Sequence, residues 1–266
     1  MKFSLFLLAL IVLAVIVGPW LSPHDYQTHD YSSVLLPPSF TDYRFFGTDD
    51  LGRDLFVRAM EGGRISLLVG VVSTLVSLVL GVLYGATAGY IGGRTDHFMM
   101  RLVDILYAIP FMFFVILLMV LFGRNIFLIF VAIGAVNWLD MARIVRGQTM
   151  TLRQREFVEA AEMVGASRFR IITRHIVPNL LGVVIVYATL TVPQVILIES
   201  FLSFIGLGVQ APMTSWGDLV EYGTPFMSTA PWTLIIPSVL LAVTLLCMNF
   251  VGDGLRDALD PRDGHR

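Results

Sequence analysis

Six long apolar runs dominate this sequence and limit the folds that are open to it. A helix needs about 20 apolar residues to cross the hydrocarbon core of a bilayer. Charged residues make up only 14% of the chain, against about 25% in a soluble domain, so lipid must be the solvent for much of it. The runs are Phe3–Trp20, Ile65–Ile91, Phe98–Phe122, Ile126–Ile144, Leu180–Phe204 and Trp232–Val251. They predict an all-α membrane protein with six transmembrane helices.

Three of these runs contain glycine or proline residues that affect helix packing or helix shape. Glycine lets two membrane helices approach closely, and proline removes a helical hydrogen bond and can kink the helix. The second run contains Gly70, Gly81, Gly85 and Gly89, the third contains Pro110, and the fifth contains Pro193. We therefore expect close packing along the second helix and kinks in the third and the fifth.

The placement of basic residues predicts the orientation of the spans, because arginine and lysine accumulate on the cytoplasmic side. With the N-terminus inside, 13 of the 18 basic residues fall on the cytoplasmic side. Both termini are then cytoplasmic, and the segment between the first two spans is extracytoplasmic. The first run ends in Gly18-Pro19-Trp20, which does not resemble a signal-peptide cleavage site, so it is expected to stay as a membrane helix.

The stretch "DDLGRD", Asp49–Asp54, lies in the predicted extracytoplasmic segment. Aspartates in such a pattern can bind Mg²⁺ and a diphosphate, but this loop faces away from the nucleotide pool and no second aspartate cluster accompanies it. We instead predict a surface helix at the membrane interface. Thr48 would cap this helix, and its apolar side chains would lie against the membrane, namely Leu51, Leu55, Phe56 and Met60.

A charged stretch, "EFVEAAEMVGASRFRIITRHIVPN", interrupts the apolar pattern between the fourth and fifth runs. Its spacing predicts two short helices, the first ending at Gly165 and the second, amphipathic, ending at Pro178, with Asn179 as N-cap of the next span. A loop of this kind can lie on anionic headgroups. However, the first helix carries glutamates and small alanines, which suit a groove in a partner protein better than a lipid surface.

The charged stretch and much of the remaining sequence resemble a known family. The pattern "EAAEMVG" followed by "RHIVPN" is similar to the EAA loop of ABC importer permeases. Nearly the whole chain resembles the C-type permease subunit of oligopeptide and dipeptide importers. The other matching stretches are "FGTDDLGRDLFVRAMEGGRISLLVG" (Phe46–Gly70), "MMRLVDILYAIP" (Met99–Pro110), "WLDMARIVRGQ" (Trp138–Gln148), "ESFLSFIGLGVQAP" (Glu199–Pro212), "SWG" (Ser215–Gly217) and "GDGLRDALDPR" (Gly252–Arg262).

The resemblance implies a type I ABC importer permease in the inner membrane of a bacterium. Such a subunit pairs with a second, similar permease, docks two cytoplasmic ATPases and receives peptide from an extracytoplasmic binding protein. The implied division of the chain is 1–22 for the first membrane helix, 23–63 for the extracytoplasmic segment with its interfacial helix, 64–252 for a five-helix permease core that includes the coupling loop 146–179, and 253–266 for a cytoplasmic tail. The residues implied in coupling to the ATPase are Glu156, Glu159, Ala160, Ala161, Met163, Gly165, Ala166 and Phe169.

Polar residues within the spans are the candidates for the translocation path, because buried polar groups in membranes tend to face a cavity or a partner. They are Asn137, Asp140, Gln194 and Glu199. Glu199 is expected near the outer interface, either at an exit gate or solvated there. Arg101 with Asp104, and Asp140 with Arg143, are spaced for ion pairs within one helix.

The sequence argues against several kinds of site in this chain. Lys2 is the only lysine, so no G-x-x-x-x-G-K-[ST] loop is present, and ATP with its Mg²⁺ would be bound by partner subunits. Neither a catalytic set nor a metal-binding set of residues stands out. Cys247 is the only cysteine, and the net charge of −2 does not favour nucleic acid.

Two other classes stay open beside the importer. A secondary transporter should show internal repeats and charges at the bilayer midplane, and a membrane enzyme should show convergent catalytic residues. Within the importer class the cargo could instead be dipeptides, murein fragments, a nickel chelate or another small solute.

Overall fold

The computed structural model describes residues 2–123 and 125–259, and these residues form an all-helical chain. The helices are α1 (Lys2–Leu21), α2 (Leu55–Ile91), α3 (Gly93–Tyr107), α4 (Phe111–Phe122), α5 (Ile126–Arg153), α6 (Glu156–Met163), α7 (Arg168–Ile171), α8 (Val177–Phe204), α9 (Trp216–Gly223) and α10 (Trp232–Leu259). Of the predicted tail 253–266, residues 260–266 lie outside the described residues. The prediction of an all-α membrane protein is confirmed.

Four helical stretches of the described chain are long and apolar enough to cross a membrane: α1, α2, the stretch Arg168–Phe204 and α10. A fifth span results if α3 and α4 are counted together, since the pair is bent by 81°. The bend lies where Pro110 was expected to kink the third run. Pro193, by contrast, lies inside an unbroken α8. The remaining predicted run, the fourth, is part of α5, and the count of six stays a prediction.

Helix α2 is the axis of the molecule, and its glycines set how closely α5 can approach. At 37 residues and about 1.5 Å per residue it is about 55 Å long, and it packs more extensively against α5 than against any other described helix. A Cβ on Gly81 would lie 2.5 Å from Cβ of Met141, and one on Gly89 would lie 2.6 Å from the carbonyl oxygen of Arg146. The prediction of close packing along this helix is confirmed.

Helix α1 is fastened to α2 by one arginine. Pro19 has no N–H, so the helical partner of the Val15 carbonyl is missing. The Nε of Arg64 donates to this carbonyl over 2.9 Å, and its Nη2 donates to the carbonyl of Ile16. The buried side chains of Ile11 and Val15 then join a core cluster with α2, α9 and α10.

The expected interfacial helix is not a separate element, and this part of the prediction was wrong. Asp54, not Thr48, is the cap: its carboxylate accepts from the backbone N–H groups of Phe56 and Val57, so the helix that starts there is α2 itself. Thr48 instead donates to the carbonyl of Ser33 and accepts from the N–H of Leu36, which ties the loop together. The expected boundary between residues 63 and 64 therefore falls inside α2.

The apolar side chains assigned to that interfacial helix also lie elsewhere. Leu55 and Met60 are buried in the core cluster with Trp216 and do not face the membrane. Phe56 packs edge-to-face against Phe45 and Phe46 of the preceding loop. The whole segment 22–54 is thus a folded cap on one end of the bundle.

Candidate functional site

The short helix α6 has a well-defined start and end. Two residues separate it from α5. Glu156 and Glu159 lie in its first turn, where their negative charge interacts favourably with the positive end of the helix dipole. At its other end the N–H of Ala166 donates to the carbonyl of Ala161, and the N–H of Gly165 donates to that of Glu162. This is the Schellman pattern, and Gly165 has the positive φ of +81° that the pattern needs. The expectation that Gly165 ends this helix is confirmed.

One face of α6 is anchored in the protein core. Val158 is 0% exposed and lies in a cluster with residues of α2, α5 and α8. Ala161 and Ala166, two of the implied coupling residues, are half-buried against the same cluster. These two side chains therefore help to fasten the helix and are less available to a partner.

A hydrogen bond that sequence reasoning missed links α6 to the end of α2. The hydroxyl of Tyr90 donates to Oε1 of Glu162 over 2.7 Å, and the guanidinium of Arg153 lies 5.8 Å from the centre of the Tyr90 ring. Tyr90 is itself buried. Hence α6 cannot shift without either breaking this bond or moving the end of α2.

The remaining surface of this region is exposed and carries three large apolar side chains among charged ones. Met163 is 82% exposed, Val164 88% and Phe169 76%, and the implied coupling residues Glu156, Glu159, Ala160 and Gly165 are exposed beside them. Large apolar side chains grouped on a surface mark a site of interaction with a protein or membrane. We call Met163, Val164 and Phe169 the apolar tip.

The second half of the charged stretch departs from its prediction. Pro178 does not end a helix, because α7 continues through a π-helical turn, Ile172–Ile176, directly into α8. Pro178 directly follows the π-helical turn, in which the N–H of Val177 donates to the carbonyl of Ile172, so the regular hydrogen-bond pattern is already interrupted where the proline lacks its N–H. Asn179 is inside the helix and donates to the carbonyl of His175 instead of capping. The apolar tip is therefore joined to a membrane helix without an intervening loop after Phe169.

The expected ion pairs within single helices are replaced by pairs between helices. Arg143 on α5 pairs with Asp104 on α3 at 2.8 Å, and Arg146 forms two hydrogen bonds to Asp96. Asp140 accepts from the hydroxyl of Tyr107 over 2.8 Å. The prediction of Arg101–Asp104 and Asp140–Arg143 pairs was wrong because helix spacing alone does not show which neighbouring helix comes closer.

The remaining path candidates differ in their surroundings. Asn137 is half-buried and donates to the carbonyl of Ile133 in its own helix. Gln194 is exposed on α8. Glu199 is 0% exposed and accepts from the hydroxyls of Ser66 and Ser203 at 3.1 and 2.7 Å. Since Glu199 is enclosed by this chain, its contacts favour a structural role, whereas a path role stays a prediction for all four residues.

Comparisons with known protein families agree with this helical architecture. Residues 57–263 match the family described as binding-protein-dependent transport system inner membrane component. The chain belongs to this family. Residues 2–38 also match the family of the N-terminal TM domain of oligopeptide transport permease C. The chain is therefore a permease with several membrane-crossing helices in the inner membrane of a bacterium, as the resemblance implied.

Individual relatives cover nearly the whole of this permease. It is 56% identical to the oligopeptide transport system permease protein OppC of Haemophilus influenzae, over 98% of this chain and 84% of that protein. It is 58% identical to the protein of the same name from Escherichia coli K12, over 98% and 86%. The dipeptide transport system permease protein DppC of Bacillus subtilis is 47% identical, over 97% and 81%.

A solved structure supports the fold. A chain of the MetNI methionine ABC transporter, in an inward-facing conformation, is similar to this permease with a TM-score of 0.61. The match covers 77% of this chain and 96% of that one at 20% identity. The similarity shows the type I ABC importer permease fold and nothing further.

Proposed function

We propose that this permease carries oligopeptides into the cell, as one of two permease subunits that enclose the path. The observation that carries the proposal is the 56–58% identity to oligopeptide permeases over 98% of the chain. Dipeptides are the second candidate cargo, because the dipeptide permease is also 47% identical. The partners proposed are a second permease, two ATPases and an extracytoplasmic binding protein.

We further propose that the apolar tip and the exposed residues of α6 form the surface that docks an ATPase. Three features support this role: the tip is exposed, α6 is fastened to α2 through Tyr90 and Glu162, and α7 runs into α8. A displacement of the docked tip would then be passed to the two helices that pack along the bundle. Coupling requires contacts that differ between two states, and a rigidly fastened docking helix can supply them.

The proposed orientation places α6 and both termini in the cytoplasm. Because Tyr90 near the end of α2 contacts α6, and Leu55 at its start directly follows the folded cap, the two surfaces are at opposite ends of a helix about 55 Å long. The cap would then meet the binding protein outside. ATP and Mg²⁺ would be bound by the ATPases, and hydrolysis would occur there.

Reconstitution of the complete transporter in proteoliposomes tests the proposed function. We expect uptake of a labelled tripeptide or pentapeptide that requires ATP on the side of α6 and stops when the ATPase lysine that holds the phosphates is replaced. A labelled methionine or a nickel chelate should not enter. Uptake driven by a proton gradient in the absence of ATP would contradict the proposal and favour a secondary transporter.

A further inference from the structure

The helix that runs from α7 into α8 holds one residue more than a regular α-helix would. In the π-helical turn Ile172–Ile176, the N–H of Val177 donates to the carbonyl of Ile172, which is five residues back instead of four. Pro178 follows and has no N–H to donate to the carbonyl of Arg174. Returning this turn to the α pattern would therefore gain one hydrogen bond fewer than in an ordinary helix.

The extra residue decides which side chains of α7 face the core. The core face of α8 is marked by Leu180 and Val184, which are both buried. Each residue of an α-helix turns the chain by about 100°, so Phe169 and Thr173 would lie within about 20° of the direction of Leu180. Ile171 would point the opposite way. The structure shows the reverse, because Ile171 is 1% and Phe169 76% exposed, and Thr173 is exposed as well.

A second arrangement is open to the same residues. If the N–H of Val177 bonded to the carbonyl of Thr173 instead, α7 would rotate by about 100° about the helix axis. Phe169 would turn from the open surface to the core side and Ile171 would turn out, so one large apolar side chain is exchanged for another. The segment 164–167, which joins α7 to α6, can take up this rotation.

Side-chain donors support the helix around the interruption. The hydroxyl of Thr173 donates to the carbonyl of Phe169 over 2.8 Å, and the side-chain amide of Asn179 donates to that of His175 over 2.6 Å. Such bonds satisfy backbone carbonyls where the regular hydrogen-bond pattern of a membrane helix is broken. Because the Thr173 hydroxyl has this local acceptor, it can turn into the core without leaving a polar group unpaired.

We propose that the π-helical turn is a register switch between the apolar tip and α8. The inference rests on the proposed function, in which the apolar tip docks an ATPase. π-helical turns inside helices are frequent at functional sites. With the π turn Phe169 belongs to the tip, whereas in the α arrangement it is withdrawn and Ile171 is exposed. The two arrangements present different contacts to the ATPase, as coupling requires, so the nucleotide state of the ATPase selects between them.

Chemical labelling of position 171 tests the switch. Cys247 is the only cysteine of this chain, so Cys247→Ala combined with Ile171→Cys leaves one thiol in the permease. The complete transporter, in nanodiscs, is treated with methyl methanethiosulfonate without nucleotide and with ATP bound to a hydrolysis-deficient ATPase. The thiol at position 171 should react about tenfold faster or more in one of these states, since a minor state is commonly populated at about 10% or less.

Ile176→Cys in the same background is the matched control. Ile171 and Ile176 are 1% and 0% exposed, but Ile176 lies at the end of the turn next to α8 and stays on the core side in both arrangements. The thiol at position 176 should therefore stay unreactive in both nucleotide states. Faster labelling at both positions would mean that the segment opens as a whole, and it would overturn the switch.

Deletion of Thr173 removes the extra residue and tests the consequence for transport. The residues before it then keep their present faces in a regular α-helix, so Phe169 stays in the tip and Ile171 in the core without an alternative. We expect the ATPase to copurify as with wild type, while ATP-driven peptide uptake is lost and position 171 stays unreactive. Thr173→Ala keeps the number of residues and should transport like wild type.

The remaining outcomes separate the two proposals. If the wild-type permease does not retain an ATPase, the proposed function fails. If it retains one and position 171 reacts at the same rate in both nucleotide states, the inference alone is overturned. The same holds if the permease without Thr173 retains the ATPase and takes up peptide at the wild-type rate.

Discussion

Replacing Met163 and Phe169 together by aspartate should abolish ATP-driven peptide uptake while the permease still inserts and folds. Both side chains are largely exposed, and neither belongs to the core cluster that the described residues form around Val158. In the docked complex each aspartate would be buried against an apolar groove at a cost of about 2 kcal/mol or more. Since 1.4 kcal/mol is tenfold in affinity, docking should weaken by about three orders of magnitude. Copurification of the ATPase and uptake in proteoliposomes are the two measurements.

The matched control for this substitution is Met227→Asp. Met227 is also a largely exposed methionine, but it lies between α9 and α10, in the part of the chain assigned to the other end of the bundle. It should retain the ATPase. If the double aspartate variant copurified with the ATPase and transported at the wild-type rate, the apolar tip would not be the docking surface.

The same chemical change at two glycines should change stability in opposite directions. A Cβ on Gly85 would overlap the carbonyl oxygen of Ala142 and lie 3.0 Å from the backbone nitrogen of Arg146. Because both are backbone atoms of α5, the helices must separate, and Gly85→Ala should cost about 1–3 kcal/mol, as overpacking does. A Cβ on Gly147 would meet no described atom within 4 Å, so Gly147→Ala should stabilise by about 0.5–1 kcal/mol through its better helix propensity.

Thermal unfolding of the two variants in the same detergent measures this difference. The Tm of Gly85→Ala should fall and that of Gly147→Ala should rise. An unchanged Tm for Gly85→Ala, with its membrane expression also unchanged, would mean that α2 and α5 are not packed as closely as described.

Features that depend on neighbours along the chain could be predicted from the sequence. The apolar runs gave both ends of α1 to within one residue, the last residue of α8 and the first residue of α10, since length and hydropathy decide a membrane helix. Gly165 was recognised as a helix end because only glycine readily adopts its left-handed backbone. The glycines of α2 likewise predicted close helix packing, although the sequence did not show that α5 would be the partner helix.

Features that depend on distant residues could not be predicted. Tyr90 and Glu162 are 72 positions apart, and neither carries a local sign of the other. Thr48 was predicted to cap a surface helix, but its hydroxyl bonds to the backbone of Ser33 and Leu36, and Asp54 caps α2 instead. In the same way, Arg143 pairs with Asp104 on α3 and not with Asp140 on its own helix, because α3 lies against α5. Each of these corrections follows from tertiary contacts, which periodicity does not encode.

Photocross-linking from position 163 tests whether the apolar tip docks an ATPase. A photoreactive phenylalanine replaces Met163, and the complete transporter is irradiated in native membranes with and without ATP. We expect a covalent adduct whose partner peptide belongs to an ATPase subunit with a nucleotide-binding loop, in a yield that depends on ATP, and no such adduct from the same probe at Met227. Adducts with lipid alone at position 163, in membranes that still take up peptide, would contradict it.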